Sequence, residues 1–256
     1  MHAVVAEYGL LVVAASFAVM ATAGFVKGTV GFALPMIVVS GVGSLTTAET
    51  AIVAILLPSL LTNLMQAFRE GFDEAALTLR RYWRLNLILF ALIGLVAQLV
   101  VVLPEWALFA VLGTMVVTFG LLQLAGWRPA IPPAARVRAQ WVAGGMSGVF
   151  GGLAGVWGPP ILMYFLACDT PKKEQVRAQG ISFLIGSLVL ITAHLASGLL
   201  NRDSAVFSAA MVVPAVIGMA VGQALQDRLN QTLFRKLTLT VLALAGLNLL
   251  RRAVFG

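Results

Sequence analysis

The chain has 256 residues, of which 60% are hydrophobic and 11% charged, with a mean hydropathy of +0.98. A soluble domain carries roughly a quarter charged residues, so a soluble fold is excluded, and the lack of alternating segments of about ten residues excludes a transmembrane β-barrel. The net charge of +7 belongs to loop residues that set the direction of helix insertion rather than to a nucleic-acid surface, and a single cysteine, Cys168, excludes an internal disulfide or a cysteine-rich metal site.

Apolar runs fall at 9–26, 31–44, 50–68, 85–103, 107–125, 139–154, 159–168, 178–198, 205–225 and 233–250. Several are long enough to cross a hydrocarbon core of about 30 Å. No Lys or Arg precedes the first run, which is therefore read as a mature helix and not a signal peptide. The first two runs are joined by ATAGFVKGTVGFALP, 21–35. The third carries Thr62, Asn63 and Gln66, of which Asn63 and Gln66 share a face. Between the third and fourth runs, FDEAALTLRRYWRLN is expected to lie along the inner membrane interface, with Tyr82 and Trp83 at headgroup level. The sixth and seventh runs are joined by a second glycine-rich stretch, GVFGGLAGVWGPP, 148–160. The eighth carries Ser182, Ser187, Thr192, His194 and Ser197.

The two glycine-rich stretches superimpose at an offset of 124 residues. Gly24 matches Gly148, Gly28 matches Gly152, Gly31 matches Gly155 and Pro35 matches Pro159. The same order of helices follows each, which argues for an internal duplication. The expected organisation is a first repeat at 1–125, a cytoplasmic connector at 126–138 and a second repeat at 139–256, within one membrane domain. If each broken pair enters and leaves on the same side, the second repeat is inverted. Thirteen Lys and Arg then share one side, and only Arg202, Arg251 and Arg252 lie on the other. The positive-inside rule prefers this arrangement and puts the N-terminus outside the cytoplasm. The expected fold is an all-α polytopic membrane protein of two inverted repeats. Each repeat is a glycine-broken helix pair, re-entrant or split, followed by three transmembrane helices.

Backbone freed from a helix cannot face lipid, so broken helices at membrane depth line a cavity or are buried in protein. The N-terminus of each returning half-helix offers free N–H groups and a positive dipole end, which suits an anion. Lys27 adds a full charge to the first break, and its counterpart is Gly151. An intramembrane lysine costs about 2.5–3.5 kcal/mol on insertion scales and marks a functional site by default. The alternatives are a lysine snorkelling to an interface and glycines serving only close helix packing.

GFVKGTVGFALP and GVFGGLAGVWGPP, in two halves of similar length, resemble the sulfite exporter TauE/SafE family, also called the toluenesulfonate uptake permease family. The similarity covers nearly the whole chain. It implies a secondary carrier of sulfite, organosulfonates or related small sulfur-containing anions, without a nucleotide-binding domain. The family's glycine signatures fall here on Gly24, Gly28, Gly31, Gly148, Gly152, Gly155 and Pro159. Lys27 and Trp157 stand where a small or apolar residue is more usual.

The expected substrate site, near the membrane midplane, comprises Lys27, Gly28, Thr29, Gly31, Asn63, Gln66, Gly152, Gly155, Trp157 and Ser187. His194 is the one histidine in a span and a candidate for proton coupling. No carboxylate lies inside a span, so no nucleophile-and-base set for catalysis is visible and no enzyme is expected. No cofactor or metal is expected either. The partners are a small anion, a co- or counter-transported proton, and membrane lipid. The alternatives are an anion channel and a carrier for a non-sulfur anion such as a carboxylate. The location is a bacterial-type inner membrane, with the basic loops cytoplasmic.

Overall fold

The computed structural model describes residues 2–96, 105–127, 130–154 and 157–255. Among the described residues it is all-α, with eleven α-helices: α1 (His2–Val30), α2 (Leu34–Gly43), α3 (Ala48–Phe68), α4 (Phe72–Arg81), α5 (Trp83–Val96), α6 (Glu105–Leu124), α7 (Arg136–Ala154), α8 (Gly158–Ala167), α9 (Lys172–Ala196), α10 (Arg202–Arg228) and α11 (Gln231–Phe255). Five have stretches long and apolar enough to cross a membrane: Gly9–Val30, Glu49–Phe68, Lys172–Ala196, Ser204–Arg228 and Gln231–Phe255. The helices form two compact units, Met1–Gly71 with Gly180–Leu229, and Phe72–Gln179 with Asn230–Gly256. Each unit therefore draws helices from both halves of the sequence.

In the first unit, α1 runs on through Gly24 and Gly28 and ends at Val30, so the break is narrower than the glycine pattern suggests. It comprises Gly31, Phe32 and Ala33. Gly31 (φ 92) and Ala33 (φ 80) both take left-handed backbone, which a residue with a Cβ rarely adopts. α2 starts immediately afterwards, with Pro35 in its first turn, where the missing N–H costs no helical bond. Its 10 residues span about 15 Å, half of a hydrocarbon core. It folds back along α1: a Cβ on Gly41 would lie 2.7 Å from Val19 Cγ1. α1 and α2 thus form a hairpin at the first broken pair.

Gly24 and Gly28 do not open α1; they bring it against α10. A Cβ at Gly24 would lie 2.3 Å from the Ala215 carbonyl oxygen, and one at Gly28 would lie 2.3 Å from that of Met219. From the other side, a Cβ at Gly218 or Gly222 would lie 2.0 or 2.2 Å from the carbonyl oxygen of Ala21 or Phe25. Two interlocked G-x3-G faces thus let the backbones touch. The contacts advance in step, so α1 and α10 run parallel. Around them Met20, Ala23, Leu34, Val38, Ala51, Ala54, Ile55, Phe207 and Met211 form an apolar cluster.

The second unit repeats this motif. A Cβ at Gly144 or Gly148 of α7 would lie 2.4 or 2.8 Å from the carbonyl oxygen of Leu85 or Leu89 on α5, again in parallel. α8, also 10 residues long, follows α7 with Pro159 and Pro160 in its first turn. α6 and α11 cross antiparallel: Gly113 faces Gly246, and Gly120 faces Ala243 and Leu239.

α4 is amphipathic, with Asp73 and Glu74 in its first turn and Arg80 and Arg81 in its last, which complements the helix dipole. Ion pairs tie it to the start of α9. Arg81 reaches Glu174 at 2.6 Å and Arg177 reaches Glu74 at 2.9 Å. The Tyr82 hydroxyl also donates to Glu174, at 2.8 Å. Burial and that carboxylate push the phenol above its usual range, so it stays a donor at neutral pH.

Candidate functional site

The first unit buries one ammonium group. Lys27 is 2% exposed, in the last turn of α1, where the negative end of the helix dipole favours a cation. Its Nζ donates to Thr62 Oγ1 at 2.9 Å and to Asn63 Oδ1, both on α3. These partners have no freedom to turn round. The Thr62 hydroxyl donates to the Pro58 carbonyl at 2.6 Å, so its lone pair must face the lysine. The Asn63 amide donates to the Phe183 carbonyl at 2.9 Å and to Ser187 Oγ at 2.7 Å, so its oxygen is left for the lysine. Ser187 passes its own hydrogen to Phe183, at 2.8 Å. Every link is neutral. Among the described residues no carboxylate bonds Lys27, so its charge is solvated but not neutralised.

The network joins α1, α3 and α9. α3 and α9 run antiparallel where they meet: Asn63 faces Phe183 and Ser187, while one turn on, a Cβ at Gly180 would lie 2.7 Å from the Ala67 backbone nitrogen. Asn63 and Ser187 are themselves separated by 124 residues, the repeat offset.

Below the lysine, glutamines cap the freed carbonyls at the end of α1. Gln66 donates to the Gly31 carbonyl at 2.9 Å and Gln226 to that of Thr29 at 3.3 Å. Arg69, next after α3, binds Gln226 and Asp227 at 2.6 Å each. Asn63 precedes Arg69 by six residues, about 9 Å along the helix.

Of the residues singled out in the sequence, Lys27, Asn63 and Ser187 come together in one hydrogen-bonded chain, and Gln66 closes the break beside Gly31. Gly28 and Thr29 face α10 instead; the Thr29 hydroxyl donates to Phe25 at 2.9 Å and approaches the Gly222 carbonyl at 3.4 Å. Gly152 is in α7 and Trp157 caps α8, both in the second unit. Gly155 lies outside the described residues. His194 is in the last turn of α9 and takes no part in the Lys27 network; its carbonyl accepts from Leu200 at 2.9 Å. Thr62 was visible as a polar residue beside Asn63, but nothing in the sequence marked it as a lysine partner.

A family model for the sulfite exporter TauE/SafE matches residues 16–249. The chain belongs to the TauE/SafE family. No curated protein and no solved structure matches it. TauE/SafE membership, together with five membrane-length apolar helices, makes the chain a multi-pass membrane transporter. In this TauE/SafE protein the broken pair 24–35 places Lys27 inside the helix, one turn before the break.

Proposed function

We propose that this protein is a secondary transporter that carries a small sulfur-containing anion, sulfite or an organosulfonate, across the cytoplasmic membrane, with Lys27 as its electrostatic anchor. One observation supports this most: a buried ammonium whose partners among the described residues are oxygens of neutral groups, both locked as acceptors. Its uncompensated charge favours an anion, and the oxygens of a sulfonate or sulfite group are strong acceptors for an ammonium. The half-helix starting at Leu34 begins seven residues after Lys27, and its positive end suits the same anion. The two halves are read as an inverted pair. A two-fold axis lying across the helices brings equivalent helices together antiparallel at equivalent residues. The contacts of α3 with α9, and of α6 with α11, have that form. The uneven spread of Lys and Arg supports cytoplasmic basic loops and an external N-terminus.

The test is ligand-induced stabilisation of the purified protein across sulfite, methanesulfonate, sulfoacetate and matched carboxylates. Stabilisation by the sulfur oxyanions is expected. Stabilisation by carboxylates alone would overturn the substrate class. Asn63→Asp is the companion variant. It keeps an acceptor for Lys27 but neutralises it with an internal ion pair, so the fold should survive while anion affinity falls at least about tenfold.

A further inference from the structure

The second unit contains a pair of buried amides that the Lys27 network does not use. Gln175 and Gln179 stand one turn apart on α9 and are 1% and 0% exposed. Neither Nε2 has a hydrogen-bond partner among the described residues, and neither does Gln179 Oε1. A buried amide without partners costs several kcal/mol, and native proteins rarely tolerate one without a reason. The repeat shows that the fold does not need polar groups there. At the offset of 124 the matching residues are Ala51 and Ile55, both buried in the apolar cluster of the first unit. The first half fills these positions with hydrocarbon; the second half spends two glutamines on them.

We propose that Gln175 and Gln179 form a second, charge-free station for the transported oxyanion. This rests on the transport reading above. The two Nε2 groups donate to oxyanion oxygens. Gln179 Oε1 takes an O–H, either from a protonated oxyanion or from a water that the anion retains. Neutral donors hold an anion more weakly than an ammonium does, and a path must bind its solute weakly enough at successive sites to release it. A carboxylate or arginine at these positions would repel or trap an anion; an amide does neither.

The test copies the first half into the second. Gln179→Ile, alone and with Gln175→Ala, removes the unpartnered amides and restores the residues that the matching helix carries. The readouts are the unfolding midpoint in detergent, and affinity and proteoliposome flux for sulfite and methanesulfonate. The expected result is a midpoint raised by about 2 °C or more, with oxyanion affinity and flux reduced at least about tenfold. Unchanged affinity and flux would show that water alone occupies the amides, and would overturn the station while leaving Lys27 as the anchor. A variant that fails to fold or melts earlier would show a structural role and overturn it equally. If the wild-type chain binds neither oxyanion, the transport reading itself fails, and the station with it.

Discussion

Lys27→Met should lower oxyanion affinity by about a hundredfold or more while leaving the protein folded. The loss follows from removing a full charge from a buried site, where charge-assisted hydrogen bonds are each worth about 1.5–3 kcal/mol. Folding survives because two costs oppose each other. Without the lysine, the Thr62 hydroxyl and the Asn63 carbonyl lose their donor, at about 1–3 kcal/mol per group. Against this, the ammonium no longer has to be buried, which costs about 2.5–3.5 kcal/mol on insertion scales. The unbranched methionine fills the vacated volume. Calorimetry with sulfite, beside a melting curve without ligand, checks both halves. If affinity stays within a few-fold of wild type, Lys27 is a helix-terminal cation and the backbone N–H groups of the break hold the anion.

Gly218→Ala should destabilise the protein by about 2–3 kcal/mol, although it adds one methyl group. That methyl would sit 2.0 Å from the Ala21 carbonyl oxygen and 2.9 Å from the Phe25 nitrogen. Both are backbone atoms of α1, so no side chain can swing away and the helices must part. Gly145→Ala is the control. Its Cβ would meet only Leu92 Cδ1, at 3.8 Å, and helix propensity then favours alanine by up to about 1 kcal/mol. Unfolding midpoints of the two variants should move in opposite directions. A neutral Gly218→Ala would mean that the α1–α10 seam is looser than its glycines imply.

Much of this was legible in the chain because a bilayer simplifies the physics. Apolar runs mark the long helices, and the charge pattern of 72–81 marks the amphipathic α4 with its acidic start and basic end. Lys27 and Asn63 stood out because polar groups are costly at that depth, and the structure joins them. The roles of individual glycines were not legible. G-x3-G serves both a helix break and a close helix contact, and only the three-dimensional partners separate Gly31, which turns the chain, from Gly24 and Gly28, which press on α10. Gln175 and Gln179 were overlooked for a similar reason. Nothing local separates buried glutamines near the charged start of α9 from solvated ones, because their burial depends on neighbours far away in sequence.

The level of the ammonium also has an electrical meaning. Under the transport reading, and with Arg69 set at the edge of a hydrocarbon layer about 30 Å thick, it lies about 9 Å in from the charged end of α3. An anion reaching it from that end crosses about a third of the transmembrane field. A full crossing is worth about 2.3 kcal/mol per elementary charge at 100 mV, so this step carries about 0.7 kcal/mol. Apparent affinity for a monovalent anion should therefore shift about threefold for each 100 mV, and the sign of the shift reports the side from which it entered.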